Sequence, residues 1–378
     1  MPSNSVPIEP VARALDNGDY RTAAKLLQPF LQQSPQDPWV QFYAGRLYEV
    51  SDKLEQAEST YRKLLRNTTH TKAIAQARQG LQRLMNLERD RRQQAIDRAM
   101  VNPTNHQTGM LLLEPINPDI RSTASQKLAR IFEIDPYSAR THLPHKSWRL
   151  YRTGPIGELQ VYSHELQAAG IPNFSVALPT IQAIRTFRVA YFKTMVPQAI
   201  LVCQDEQNNP GTLSFDWSEV SQRVEGLLPI FEEVLDEGPR RQLKHKVRTQ
   251  DYTHLCDLHL PSRKCILRLH DTSYQFSQDP ALSAEQTQSG STIRNTIRIN
   301  WNRLLALLNT QIPDSPLWSD FVPFAETALD YTELLKQLKA HIDLQRREVD
   351  VFHQEEMLWD PAFHLYSGLM FCKQSMVS

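Results

Sequence analysis

Cysteine is scarce, with four in 378 residues (Cys203, Cys256, Cys265 and Cys372) and no C-x-x-C pair. That excludes a disulfide framework and fits free thiols in a reducing compartment. Glycine is also sparse, twelve residues against twenty-four prolines, so fixed proline torsions set more of the turns than glycine freedom does. Net charge is absent. The 42 basic residues balance 42 acidic ones, which removes any global field that would draw in nucleic acid or an anionic membrane and leaves only local patches. No apolar run approaches the roughly 20 residues of a spanning helix, and nothing resembling a signal peptide occupies Met1 to Pro10. The expectation is a cytoplasmic protein, with peripheral membrane association left open. Nucleophile elbow, Walker loop, dinucleotide fingerprint and H-E-x-x-H are all missing, so the chain is expected to be non-catalytic and to carry no cofactor.

What is present begins with a helical N-terminus. Val11, Ala14 and Leu15, then Ala23, Leu26, Leu27, Phe30 and Leu31, recur at the spacing of a helix with one buried face. Pro35 and Pro38 separate one hairpin from the next, since proline fits a helix's first turn but not its interior. The pattern Gly18-Asp19-Tyr20-x-x-Ala23 returns as Asp52-Lys53-Leu54-x-x-Ala57, and the same shift carries Leu27 onto Tyr61, Phe30 onto Leu64 and Leu31 onto Leu65. Gly45 and Tyr48 precede the second copy. These residues resemble the tetratricopeptide repeat, in which small residues let two helices approach and large apolar ones lock neighbouring hairpins. The likeness is fuller over residues 38–69 than over 4–37, where Val11 replaces the usual glycine; Thr69 replaces a closing proline. The motif order and proline-rich style are also similar to those of cyanobacterial repeat proteins.

The resemblance implies that the first helix of each hairpin lines a groove that binds a protein partner. Trp39, Phe42, Arg46 and Glu49 then fall in the groove, and Arg83 joins them from a capping helix marked by Ala73, Ala77, Leu81 and Leu84. Aromatic and arginine side chains supply buried area and carboxylate recognition at interfaces. The competing reading for Trp39 and Phe42 is plain packing against the cap. The charged stretch from Glu88 to Gln94 reads as a solvated helix end, because Glu88 and Asp90 interrupt its arginines.

A polar linker, Val101 to Thr108, leads to a different pattern. Met110 to Leu113, Trp148 to Tyr151, and Phe174 with Val176 and Leu178 read as strands, and the segments between them as helices. The order β-α-α-β-α-β over residues 109–183 predicts a small sheet with helices on one face, similar to the C-terminal domain of the ribosomal stalk protein. Arg152-Thr153-Gly154-Pro155 reads as the opening of a helix capped by Thr153. Its amides, beside Arg149 and Arg152, form a candidate anion site.

Residues 184–310 read as a strand-rich module. Its hairpin, Thr253 to His270, has a predicted register that pairs Leu260 with Cys265, Leu258 with Leu267 and Cys256 with Leu269 on one face, and Asp257 with Arg268 and His259 with Ile266 on the other. With the amphipathic helix Ile297, Trp301, Leu304, Leu305 and Leu308, the module resembles a pleckstrin-homology-type barrel, which implies a headgroup or peptide ligand. Lys244 and Lys246 join Arg149 and Arg152 as contacts in an alternative function, regulation by a small anion. His254, Cys256, His259, Cys265 and His270 are zinc-ligand types, but strand alternation sends the cysteines and His259 to opposite faces, so no metal site is expected. Glu232-Glu233 and Glu355-Glu356 read as solvated helical faces, and the basic run through Arg240, Arg241, Lys244, Lys246 and Arg248 as an exposed connection.

In residues 311–378, Phe324, Leu329, Leu334, Leu335, Leu338 and Ile342 mark further helices, and the apolar run Phe363 to Phe371 reads as a strand folded back on the preceding module, the competing reading being a segment that docks into a partner. The fold class is therefore multidomain, α then α+β. The functional expectation is a scaffold or assembly factor that captures a partner segment in the repeat groove.

Overall fold

The computed structural model describes residues 8–237, 243–283, 296–342 and 358–377. The chain forms two compact units, Met1–Arg98 and Ala99–Ser378. Among the described residues no helix is long and apolar enough to cross a membrane.

The first unit is built from α1 (Glu9–Asp16), α2 (Tyr20–Gln33), α3 (Pro38–Val50), α4 (Leu54–Asn67) and α5 (Thr71–Ala99). Local chemistry sets the boundaries. The Asp19 carboxylate accepts from the Thr22 amide at 3.0 Å, and Asp37 accepts from the Trp39 and Val40 amides at 2.8 and 3.1 Å, ahead of Pro38 in the first turn. Gly18 and Asp52, equivalent in the sequence echo, both turn their hairpins in the left-handed region, at φ +75° and +59°. Aspartate is among the few residues that tolerate that conformation, which explains how one hairpin keeps the turn without glycine. Val11, Leu15, Ala23, Leu27, Val40 and Ala44 close the first core. The second consists of Phe42, Ala57, Tyr61 and Leu64 sealed by Ala73, Ala77 and Leu84 of α5, so α5 supplies the cap that two hairpins need.

The second unit contains two sheets. In the smaller, β1 (Thr108–Leu113) lies between β2 (Arg149–Pro155) and β3 (Asn173–Ala177), antiparallel to both. Leu111 and Leu113 pack against α6 (Arg121–Phe132), α7 (Pro136–His142) and α8 (Ile156–Ala168), whereas Met110 and Leu112 face the opposite way into the main core. A strand buried on both faces reads as a continuous apolar run, as Met110 to Leu113 does. A short helix, α9 (Leu178–Gln182), leads into the larger sheet.

That sheet has seven strands in the order β10-β7-β8-β9-β4-β5-β6, formed by β4 (Arg185–Thr194), β5 (Ala199–Gln204), β6 (Pro210–Phe215), β7 (Gln222–Glu237), β8 (Leu243–Leu260), β9 (Cys265–His270) and β10 (Leu317–Trp318). It is open, with β10 and β6 at its edges, which corrects the expectation of a closed barrel. Closure would require the two edge strands to pair, and a β10 of only two residues, itself parallel to β7, offers almost no ladder for that. Instead both faces are covered. Cys256, Leu258, Cys265 and Leu267 pack beneath Trp301, Leu304 and Leu308 of α10 (Ile297–Gln311). On the other face Val224, Leu228, Leu255 and Ile266 pack with α11 (Phe321–Ala328), α12 (Thr332–Leu335) and α13 (Trp359–Val377).

Three local readings change with this arrangement. The run Phe363 to Phe371 lies within helix α13, not a strand; it is mostly apolar and enclosed on every side, with Phe363, Leu365, Tyr366 and Leu369 at most 1% exposed and the polar His364 and Ser367 buried as well. Glu232 and Glu233 lie on β7, paired with Arg248 and Val247 of β8, rather than on a helix. Thr153 caps nothing: residues 152 to 155 continue β2, and α8 begins at Ile156. Glu355-Glu356 and the arginines at 240 and 241 lie outside the described residues.

Candidate partner-binding face

The geometry of the first unit turns on the Tyr61 ring, which lies between two helices at their glycines. A Cβ on Gly45 of α3 would stand 2.5 Å from that ring, and one on Gly80 of α5 would stand 2.6 Å from it. Its hydroxyl donates to Glu49 Oε2 at 2.8 Å, and Arg83 grips the same carboxylate, Nε to Oε1 at 2.8 Å and Nη2 to Oε2 at 3.0 Å. Burial pushes the Glu49 carboxyl up, but the bidentate Arg83 and the Tyr61 hydroxyl outweigh it, so Glu49 is held below the usual range. Burial, then the Glu49 charge, drives the Tyr61 phenol up, so it stays a donor. This triad ties α3, α4 and α5 together.

Beside it, Trp39 stacks on Tyr43 with centroids 6.2 Å apart and meets Phe42 and His70 edge-on at 6.0 and 5.6 Å. Trp39 and Tyr43 are half-buried, whereas Phe42 is 4% exposed and packs in the core beneath them. Tyr43 is raised chiefly by burial and then by the Asp16 charge, with Arg46 opposing. The first helices of the two hairpins, α1 and α3, share one core through Val11, Leu15, Val40 and Ala44. Arg46 of α3 is half-buried. Its Nε is shielded from solvent with no hydrogen-bond partner among the described residues.

Residues 14–81 match the family model of the tetratricopeptide repeat. The matched helices are thus similar to tetratricopeptide repeats. No curated protein and no solved structure matches the chain. The matched span runs from α1 into α5, so the first turns of the capping helix fall within the repeat pattern.

On this repeat face the structure brings Trp39, Arg46, Glu49 and Arg83 together, with Phe42 beneath. Sequence reasoning missed Tyr43, although its spacing of four from Trp39 and three from Arg46 places all three on one helical stripe.

The proposed anion contacts are dispersed. Arg149 donates to the Thr141 carbonyl at 2.9 Å. Arg152 lies 3.6 Å from Glu158 and over the rings of Tyr162 and Phe132, at 5.1 and 5.8 Å. Lys244 and Lys246 belong to the long β7–β8 ladder, and their side chains lie outside the described residues. Of the zinc-ligand types, Cys256 and Cys265 point into the core under α10, and His259 points to the other face beside Ser367 and Phe371. Among the described residues no group of three or more His, Cys, Asp and Glu side chains is placed to hold a metal.

Proposed function

We propose that this protein is a non-catalytic scaffold or assembly factor whose repeat unit captures a segment of a partner protein along α3. Tetratricopeptide repeats are generally protein-interaction modules, and their stacked hairpins present an extended face for that purpose. The observation that carries the reading is Arg46, a half-buried arginine beside the Trp39–Tyr43 stack. An arginine left partly open to solvent suits a carboxylate from outside, and the aromatic pair suits an apolar side chain next to it. Phe42 supports that pair from below, while the Glu49–Arg83 fork fixes the neighbouring wall.

The test is affinity capture with the intact chain beside a Trp39→Ala, Arg46→Glu double variant, together with a photo-crosslinking side chain at Tyr43. A partner crosslinked at Tyr43 and lost from the variant, with circular dichroism unchanged, supports the assignment. An identical partner set from both proteins moves the binding site elsewhere in the chain.

A further inference from the structure

Arg188 of β4 and Arg268 of β9 are register partners on adjacent parallel strands in the middle of the large sheet. Like charges directly opposite one another destabilise a sheet unless something neutralises both. Arg268 is served on one side by Asp257, and its Nη1 lies 3.5 Å from Asp360 without a hydrogen bond. Arg188 has only the amide oxygens of Gln204, at 3.4 Å, and Asn208. Among the described residues no carboxylate forms an ion pair with it; Glu206, which shares an adjoining hollow with Arg188, is paired with Lys339.

Both arginines line a cleft of about 360 Å³ together with His270, Thr272, Ser273 and His341, and among the described residues no aspartate or glutamate lines it. Two of the lining side chains are almost wholly buried and yet carry solvent-shielded atoms without a hydrogen-bond partner: Arg268 Nη1, on a residue 1% exposed, and His341 Nε2, on a residue 6% exposed. Such atoms are costly to leave unsatisfied. The volume falls within the range of small-molecule sites, roughly 300–1,000 Å³, which combine a shaped hollow with a few convergent polar groups.

We propose that this cleft binds a small molecule through an oxyanion group, a phosphate or a carboxylate, held by the half-buried Arg188 guanidinium with the Thr272 and Ser273 hydroxyls of the same lining. The planar guanidinium fork matches either group with paired hydrogen bonds, and the site is independent of the repeat face.

The experiment is thermal unfolding and titration calorimetry of the full-length chain with inorganic phosphate and with citrate, against sodium chloride at matched ionic strength. Saturable stabilisation by phosphate or citrate and none by chloride is expected, and whichever anion acts identifies the headgroup. Arg188→Gln should weaken that binding by about tenfold or more, the scale of a lost charge-assisted fork. Thr272→Glu, which places a carboxylate at an exposed rim position, should abolish it and supplies the reading if the arginine variant does not fold. Absence of saturable stabilisation by either anion, or unchanged affinity in a folded variant, would overturn the proposal.

Discussion

The Arg268 guanidinium meets the Asp257 carboxylate in a two-point fork, Nε to Oδ1 at 2.9 Å and Nη2 to Oδ2 at 2.8 Å, with both side chains completely withdrawn from solvent. The strand register that sets β8 against β9 places them opposite each other, and α13 covers them, with the Phe363 ring 4.9 Å from the guanidinium. Removing one member leaves a buried charge without its counterpart, which costs far more than the pair contributes over an apolar replacement. Asp257→Asn should therefore destabilise the second unit by about 3–5 kcal/mol. Replacing both partners, Asp257→Leu with Arg268→Met, should cost less than the single change. Urea unfolding followed by tryptophan fluorescence measures both, since five of the six tryptophans lie in that unit.

The same carboxylate ends a chain of hydrogen bonds whose direction is fixed. Trp318 Nε1 can only donate, so Gln222 turns its oxygen toward it at 2.9 Å, and the Gln222 amide nitrogen donates to His259 Nδ1 at 2.9 Å. His259 therefore carries its proton on Nε2 and donates to Ser367 Oγ at 2.9 Å, and Ser367 donates to Asp257 at 2.6 Å. Burial, with Arg268 adding to it against the opposing charge of Asp257, depresses His259 to about 4. A histidine depressed below its unfolded value of about 6.5 binds its proton less readily when folded, so its stabilising contribution is complete above that value and is lost as pH falls toward the folded one. For His259 the loss is on the order of 3 kcal/mol by pH 4. His270 is depressed to about 4 and His364 to about 3, chiefly by burial, and they act with the same sign. Asp360, raised by burial, opposes them at the acid end. Unfolding free energy measured from pH 7 to pH 4 should decline through that window, with a shallower slope in His259→Gln.

In the repeat unit the sharpest test lies at the two glycines against Tyr61. Gly45→Ala or Gly80→Ala drives a methyl group to within 2.5 or 2.6 Å of ring carbons that are pinned on both sides, so the ring has no free direction of retreat. Each change should cost about 1–3 kcal/mol, the usual penalty of overpacking. Tyr61→Phe keeps the packing but removes a donor from Glu49, and should cost about 1 kcal/mol. Differential scanning calorimetry of the three variants separates the steric from the polar contribution: a Gly45→Ala melting point equal to that of the parent would show that α3 and α5 are not clamped on this ring.

How far sequence revealed these features depended on whether one segment's pattern determined its environment. The β8–β9 hairpin was legible to the residue pair, Asp257 with Arg268 included, because strand alternation leaves one register that buries Cys256, Leu258 and Leu260 together. The repeat hairpins were legible for the same reason at a helical period. The second face of the large sheet was not. Asp257, Arg268 and His259 look like a solvated stripe until α13 is laid over them, and nothing local to residues 253–270 announces a helix nearly a hundred residues later. The Phe363 to Phe371 run is short and mostly apolar, and its two polar residues, His364 and Ser367, are too few for their spacing of three to decide between helix and strand. The Tyr43 contribution was hidden by neighbouring Phe42, a stronger apolar signal that points into the core. Arg188 gave no sign at all, since its significance rests on lying opposite Arg268 across a parallel pairing.

Helix α13 should accordingly be indispensable to the second unit. Phe363 is fully buried and fills the space above Gly226 of β7, where even a Cβ would come within 2.4 Å of its ring, and it meets Phe321 at 5.1 Å. Truncation of such a ring leaves a cavity and costs about 3–5 kcal/mol, a large share of the roughly 5–15 kcal/mol of a typical domain. Deleting residues 358–378 removes that ring together with Tyr366, Leu369 and the acceptors of Gln222 and Ser221, and so strips a large part of the cover from one face of the large sheet. The second unit should then lose its cooperative melting transition, while the repeat unit, whose cores contain no residue beyond Leu84, keeps its helical circular dichroism. Limited proteolysis gives the discriminating readout. A resistant fragment ending near residue 98 and none from residues 99–357 is expected, whereas a truncated chain that still protects β7 through β9 would show that the sheet does not depend on its C-terminal cover.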